Sequence, residues 1–434
     1  MAQVHIVGAG LAGLSCAVSL AARGHPVVLY EAAARAGGRC RSYFDEKLGR
    51  TIDNGNHLLL SANHAALGYL ETIGARDTLI GPARAAFAFA DLRDGTRWTV
   101  RPNGGPVPWW VLSSRRRIPG TRAWSYLAGL RLARAGATAT VADCLDPADP
   151  LWERFWEPLT VAALNTSPEE ASARLLWSVV RETFARGEAA CRPLVARDGL
   201  SASLIDPALA FLRARGGTIH FNKRLRAIEV ADGRVTVLAF GGTRVVLAPG
   251  AGAVIALPPA VAGEVVPGLA PPRESRPIVN AHVALPAAPA LPEGLSPAFP
   301  VLGLIGGTAH WLFLRGAVAS LTVSSAGALA DEPNERIAAR LWADTAAALG
   351  LPGQPRPPVR VIKERRATFA QTPVAVGHRA PARTQWRNLA LAGDWTDTGY
   401  PATIEGAIRS GQAAAAVVAP GTHARDTRPG DTLS

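Results

Sequence analysis

Three segments of this chain have the residue types and spacing to hold an anion. The first is Gly8-Ala9-Gly10-Leu11-Ala12-Gly13, between a β-rich run, Gln3–Val7, and a run of helical period, Leu11–Arg23, closed by Gly24. Gly8 permits a tight turn, Gly10 lets the backbone approach a pyrophosphate, and Gly13 lets helix and strand pack closely. The free N–H groups at Leu11, Ala12 and Gly13, with the positive end of the helix, then face the phosphates. Glu31 ends a second apolar run, Val27–Glu31, where a carboxylate can accept both ribose hydroxyls of an adenosine. Glycines alone describe any tight turn; strand, helix and acid in this order describe a dinucleotide site.

The second segment, Gly37-Gly38-Arg39, brings the chain back towards the same pyrophosphate, and Arg39 can neutralise it. A domain for a nicotinamide dinucleotide has no need of this addition. The third lies at the other end of the chain: Leu391-Ala392-Gly393-Asp394-Trp395-Thr396-Asp397-Thr398-Gly399-Tyr400-Pro401-Ala402-Thr403-Ile404-Glu405-Gly406-Ala407. Gly393 and Asp394 end a strand, and Asp394 can bond the ribityl or pyrophosphate hydroxyls of an extended dinucleotide. Pro401 and Thr403 open a helix whose N-terminus, at Ala402, Thr403 and Ile404, suits the N1/C2=O edge of a flavin, which gains negative charge on reduction. Glu405 is expected to reinforce that first turn. Together the segments point to FAD held from both chain ends.

These motifs resemble the FAD-dependent amine oxidase and phytoene desaturase superfamily. Arg366-Ala367-Thr368-Phe369-Ala370-Gln371-Thr372-Pro373, the Gly393–Gly411 segment, Glu157-Pro158-Leu159 and Ala163-Leu164-Asn165-Thr166-Ser167-Pro168-Glu169 resemble one branch, the hydroxysqualene dehydroxylases, and the similarity runs to about Ala419. The resemblance implies removal of an allylic hydroxyl by hydride from reduced flavin, giving squalene for hopanoid synthesis. A long apolar slot and an acid for the leaving oxygen would serve that reaction. It also implies that Asp53-Asn54-Gly55-Asn56-His57 passes beside the isoalloxazine, so Asn56 and His57 are cofactor contacts. His57 is the first candidate acid, with Tyr400 and Asp397 behind it; the alternative for His57 is a hydrogen bonder that holds its loop. Leu225 is expected to offer backbone bonds to the adenine. Two other readings stay open: a carotenoid desaturase, running hydride transfer in the opposite direction, and a non-catalytic prenyl-lipid carrier.

The strand–helix–strand opening and the β-meander (His220–Val246) read as α/β, and the resemblance implies a Rossmann-type FAD domain of parallel sheet and helices, built from both chain ends and interleaved with an α+β substrate domain. The expected division is 1–80, 200–262 and 360–420 for FAD, 81–199 and 263–359 for substrate, and a disordered tail, 421–434. Helices are expected at Trp124–Arg134, Ala171–Arg186 and Asp331–Leu349, strands at Ala253–Leu257 and Leu389–Ala392, and a Pro-rich crossover reaching Pro289. Gly250-Ala251-Gly252 is no second phosphate loop, because a strand ending in Pro258-Pro259 follows it instead of a helix.

Of 434 residues, 48 % are hydrophobic and 18 % charged, enough for a large core. The net charge of +12 comes almost wholly from arginine, with three lysines, and no basic-aromatic module for nucleic acid is visible. A basic face could instead rest on anionic lipid. Trp109, Trp110, Trp124, Trp152, Trp156 and Trp177 read as core or membrane-facing anchors, or as the lining of a substrate channel. Cys16, Cys40, Cys144 and Cys191 lack paired spacing, and the nine histidines form no metal motif. No charged-then-apolar leader opens the chain, so the expectation is a cytoplasmic protein, at most peripheral on the inner face of the membrane, with an unknown electron donor.

Overall fold

The structure, a computed structural model, describes residues 1–419, so the tail expected at 421–434 lies outside the described residues. Val4–Val7 and Val27–Tyr30 are short apolar runs buried throughout, as strands covered on both faces must be. They form the middle of a five-stranded parallel sheet with spatial order Thr218–His220, Val27–Tyr30, Val4–Val7, Gly252–Ile255, Leu389–Leu391. Residues almost four hundred positions apart in sequence thus share one sheet. The opening helix, Leu11–Ala22, packs on it together with the closing helix, Ile404–Val418, and the two helices meet face to face. Their close approach depends on Gly411, where a Cβ would run into the Ala12 carbonyl and lie 2.8 Å from the Cys16 nitrogen. The hydroxyl of Ser15 donates to the Ile408 carbonyl at 2.9 Å across the same seam.

A second, seven-stranded sheet has the order Val359–Phe369, Ser275–Ala284, Val318–Val323, Trp311–Arg315, Val301–Ile305, Phe87–Asp91, Arg97–Val100. Only the Val301–Ile305 and Phe87–Asp91 pair is parallel. One face packs against the helix Asn334–Leu349, and the opposite side carries the Trp-rich helical region between residues 110 and 191. A three-stranded meander, Leu225–Ala231, Arg234–Phe240 and Thr243–Val246, completes the α/β architecture.

Several expectations need correction. The strand Val359–Phe369 crosses the boundary placed at residue 360 and forms the edge of the seven-stranded sheet, because its pairing with Ser275–Ala284 outlasts the local change of composition. The stretch taken as a Pro-rich crossover contains that ten-residue strand Ser275–Ala284, with a register shift at Pro277 where the missing N–H interrupts the ladder. The residues 124–134 form 3₁₀ turns, Ala123–Arg134, instead of an α-helix. Ala171–Arg186 is a shorter helix, Ala173–Glu182, capped by the Ser172 hydroxyl and followed by a 3₁₀ turn. After Gly252–Ile255 a short helix, Pro259–Val265, does follow; Gly250 nonetheless precedes the strand and Gly252 opens it, on the wrong side for a phosphate loop.

Candidate active site

The opening turn is shaped by steric demands that only glycine meets at two positions. Gly8 has φ +109°, and a Cβ there would strike the Ala256 carbonyl, while one at Gly13 would strike the carbonyl of Gly8. Gly10 differs: its backbone is ordinary extended chain, φ −74° and ψ 177°, and a Cβ would meet nothing within 4 Å. Gly10 therefore answers to something other than the protein's own packing. Among the described residues no side chain caps the helix it opens, and the first turn carries no acid, so its positive end is left for an anion.

Gly37 and Gly38 (φ +107° and +55°) close over this turn. The Gly37 N–H donates to the Ala9 carbonyl at 2.8 Å, and a Cβ on Gly38 would lie 3.5 Å from the Gly10 Cα. Arg39 follows and donates from Nη2 to the Asp394 carboxylate at 2.8 Å, with its other nitrogen on the Ala367 carbonyl. Thus Gly10, Gly38, Arg39 and Asp394 form one contiguous wall, drawn from both chain ends. Gly393 bends at φ +154°, and the indole of Trp395, donating to the Leu257 carbonyl at 2.9 Å, anchors the loop.

At the outer end of this wall Glu31 accepts the N–H of Ala9 and of Ala33, each at 2.8 Å. A carboxylate offers about four acceptor positions, so two remain for ribose hydroxyls. Residues 220–223 run beside it, with Glu31 N–H on the His220 carbonyl and Lys223 N–H on the Glu31 carbonyl. That brings Leu225, buried at the start of the meander, to the same end. An open phosphate cradle, an uncapped helix end and a carboxylate with spare lone pairs fit an extended dinucleotide such as FAD.

The other end of the wall holds the candidate acids, and here the structure redistributes roles. His57 Nδ1 lies 3.1 Å from the Gly55 carbonyl, which can only accept, so Nδ1 carries the proton and Nε2 is an acceptor. Burial lowers its pKa from the usual histidine range. In this tautomer the imidazole offers Nε2 as a hydrogen-bond acceptor, and the downward shift disfavours the protonated form that an acid would need. Asp397 is exposed and spends its carboxylate on the Gly399 N–H, capping a turn. Tyr400 is 3 % exposed, and burial raises its hydroxyl to about 12, so it keeps its proton at neutral pH. Its ring lies under the Arg409 guanidinium at 4.3 Å, which ties it to the closing helix.

Some expectations about the closing helix also change. Thr403 is its cap, accepting from Gly406 N–H at 3.1 Å. The Ala402 N–H, expected to face a flavin edge, donates to Gln371 Oε1 at 2.9 Å. Glu405 is the acid in its own first turn, as expected, and has a second role: it is 1 % exposed, pairs with Arg409 at 2.8 Å, and accepts Ala65 and Ala66 N–H groups, capping the helix His64–Thr72.

Residues singled out for no role in the sequence complete the junction. Gln371 Nε2 donates to the Leu164 carbonyl at 2.6 Å, its N–H reaches Thr166 Oγ1, and Asn165 Nδ2 donates to Thr368 Oγ1 at 3.0 Å. The segments 157–169 and 366–373, which carried the family resemblance, are therefore in contact. Arg379, 6 % exposed, holds the Asp394–Tyr400 loop through the carbonyls of Asp394, Thr396 and Tyr400. Asn56 Nδ2 donates to Thr322 Oγ1 at 3.0 Å, and that hydroxyl donates to Asn280 Oδ1 at 2.8 Å. A Cβ on Gly55 would lie 3.1 Å from the Asn280 amide nitrogen, so the loop rests directly on the seven-stranded sheet. Beside it a cavity of about 20 Å³, lined by Asp53, Asn56, His282 and Arg315, has room for about one water molecule. Of the tryptophans, Trp110, Trp152 and Trp156 are core and Trp177 packs against them, whereas Trp109 and Trp124 are exposed.

Comparison with known proteins bears on the family and the fold. The family model described as flavin containing amine oxidoreductase matches residues 11–419. A protein from Rhodopseudomonas palustris named hydroxysqualene dehydroxylase is 47 % identical over 96 % of this chain and 98 % of its own. One of the same name from Sinorhizobium fredii is 44 % identical over 95 % and 97 %. A probable zeta-carotene desaturase of Synechococcus elongatus is 27 % identical over 53 % of this chain and 52 % of its own. In fold, the crystal structure of a putative protoporphyrinogen oxidase from an Exiguobacterium species superposes with a TM-score of 0.67 at 17 % identity, covering 95 % of this chain and 97 % of that one. The chain belongs to the flavin containing amine oxidoreductase family, in the branch of the hydroxysqualene dehydroxylases.

Proposed function

We propose that this FAD-dependent oxidoreductase converts hydroxysqualene to squalene by reductive dehydroxylation. The observation that carries the reading is the near-full-length identity to proteins of that name. Reduced FAD supplies the hydride that replaces the departing hydroxyl, which leaves as water once a proton is added. The lobe built on the five-stranded sheet would hold FAD through Gly8, Gly10, Gly13, Glu31, Gly37, Gly38, Arg39 and Asp394, with Leu225 at the adenine end. The lobe of the seven-stranded sheet would hold the isoprenoid.

His57 has the tautomer to accept the substrate's O–H hydrogen at Nε2 and so orient the carbon–oxygen bond, while the Asn56–Thr322–Asn280 string fixes its loop. Tyr400, protonated to about pH 12, is the remaining candidate proton donor. The apolar side chains of Leu58 and Leu60, which follow His57 and pack against the cluster of Trp152 and Trp156, would give a polyisoprenoid tail an apolar surface beside that histidine. Among the described residues no helix is long and apolar enough to cross a membrane, so access to such a substrate calls for peripheral contact with lipid. A carotenoid desaturase remains the second reading, favoured by the partial similarity to zeta-carotene desaturases.

The test is anaerobic turnover by photoreduced holoprotein, with products followed by mass spectrometry. Hydroxysqualene should give squalene in stoichiometry with flavin reoxidation. Consumption of phytoene by oxidised protein, with hydroxysqualene untouched, would replace the assignment by desaturation; a purified protein without flavin absorbance would replace it by a carrier.

A further inference from the structure

Half of the large apolar side chains that the described residues leave exposed fall within one short stretch, residues 107–130. Trp109 is 64 % exposed, Leu112 63 %, Trp124 64 %, Leu127 63 % and Leu130 57 %. Monomeric surfaces rarely keep such a group together unless something covers it. The backbone explains why they project. The 3₁₀ turns Trp109–Leu112 and Ala123–Arg134 turn Trp110, Val111 and Leu132 into the core and leave Trp109, Leu112, Trp124, Leu127 and Leu130 outside.

The charge within this stretch of sequence is of one sign. From residue 95 to residue 142 the sequence contains arginines and no aspartate or glutamate. Arg115, Arg116, Arg122, Arg131 and Arg134 are exposed and make no ion pair among the described residues. The guanidinium of Arg122 lies 5.3 Å from the Trp124 ring centroid, placing cation and aromatic at one level. At one edge Asp146 and Asp149 share a groove with Arg122, and both cap turns through the N–H groups of Ala148 and Leu151. Solvent-exposed tryptophan and leucine ringed by unpaired arginine match the boundary of an anionic bilayer, where the rings enter the headgroup region and the cations meet phosphate. A second protein chain would have to bring a matching row of carboxylates.

Beneath the patch lies a single apolar cluster. Trp110, Val111 and Leu132 belong to it, as do Trp152 and Trp156, and Leu58 and Leu60 pack against it beside His57. Apolar contact therefore continues from the exposed stretch to the candidate active site.

We infer that residues 107–134 form the docking surface through which the protein sits on an anionic lipid membrane, the exposed tryptophans and leucines entering it and the arginines holding its headgroup phosphates. The inference rests on the reading of an isoprenoid substrate, since a substrate of that kind resides in the bilayer and would enter from this side.

Two triple variants of the holoprotein test it, W109S/W124S/L127S and R115Q/R116Q/R122Q, all at exposed positions. Co-sedimentation is measured with vesicles of phosphatidylcholine alone and of phosphatidylcholine with phosphatidylglycerol. Wild-type protein should bind the anionic vesicles, release in high salt, and bind neutral vesicles far more weakly. At ~5-fold per arginine, the charge variant should partition about 100-fold more weakly, and the apolar variant should also lose binding. Equal binding to both vesicle types, no wild-type binding, or undiminished binding by both variants would overturn the inference. So would a wild-type dimer that the apolar variant dissolves, since the face would then belong to a second copy. Turnover of detergent-dispersed hydroxysqualene reads the active site by itself. It should be unchanged in both variants, and protein that docks but turns over no hydroxysqualene would sink the substrate reading alone.

Discussion

The glycines of the opening turn should divide into two kinds when substituted, and the division tests whether the cradle is built for phosphate. Gly10→Val places a side chain where the protein itself leaves room, on backbone with φ −74° and ψ 177° that valine adopts freely. The apoprotein should therefore keep its stability to within about 1 kcal/mol. The valine methyls, however, would occupy the space of the pyrophosphate and screen the helix N-terminus. Losing two charge-assisted bonds at ~1.5–3 kcal/mol each gives about 3–6 kcal/mol, which weakens FAD binding by roughly 10²- to 10⁴-fold. Gly13→Ala drives its Cβ into the Gly8 carbonyl, with the Ala256 Cβ only 3.2 Å away, and backbone must move, at about 1–3 kcal/mol or more. That variant should lose FAD and melt earlier as apoprotein too.

The assay is FAD titration of deflavinated protein by fluorescence, paired with thermal melts of the apoproteins. Comparison without flavin matters, because bound FAD raises stability by mass action and would hide the difference. If Gly10→Val bound FAD like wild type, the space at Gly10 would not be the pyrophosphate cradle. If it destabilised the apoprotein as much as Gly13→Ala, the glycine would be a packing requirement like its neighbours.

Arg39→Ala removes the partner of Asp394, whose side chain is 8 % exposed. Leaving that carboxylate unpaired should cost about 2 kcal/mol, visible as an earlier apoprotein melt and an FAD affinity lowered more than tenfold; an unchanged FAD Kd would detach Arg39 from the cofactor. His57→Gln keeps a hydrogen-bond acceptor, so kcat should fall less than the roughly 10²–10⁴-fold expected for loss of a general acid. The pH–rate profile should also keep its shape, and a profile that lost an alkaline limb near neutrality would restore His57 as the acid. His282 and His310 are held neutral by burial, each with its pKa lowered to about 4. Between the unfolded value near 6.5 and about 4 the unfolded chain binds the extra protons, so stability falls as pH drops through that window, by about 3 kcal/mol for each histidine. His282→Gln should flatten the acid side of a melting-temperature curve against pH, and a curve with the wild-type slope would show that His282 does not carry it.

The glycine turn proposed to cradle the phosphates was legible before any coordinates because its demands are local. Strand, glycine turn, helix and acid follow one another within about thirty residues, and backbone sterics at Gly8 and Gly13 act between near neighbours or adjacent strands. The pairing of the two chain ends could also be read, since Gly37-Gly38-Arg39 and Gly393-Asp394 make chemical sense only around one long cofactor. The 3₁₀ turns at residues 123–134 and the strand hidden in the Pro-rich stretch were not legible, because packing and sheet pairing overrode local propensity there.

Side-chain roles at the flavin end depended on partners with no fixed spacing. Glu405 caps a helix about 340 residues earlier, Gln371 bonds the Leu164 carbonyl, and Asn56 is held by Thr322. His57 was the first candidate acid because of where the resemblance put its loop, while the carbonyl at 3.1 Å and the burial that favour one tautomer and lower its pKa appear only in the folded chain. By itself the sequence determined the glycine turn and helix end on which the proposed phosphate site rests, because turn and helix geometry are properties of a few consecutive residues. Which polar groups are spent on structure and which stay free for chemistry was decided only by tertiary packing, because hydrogen-bond partners and desolvation come from segments that meet only once the chain has folded.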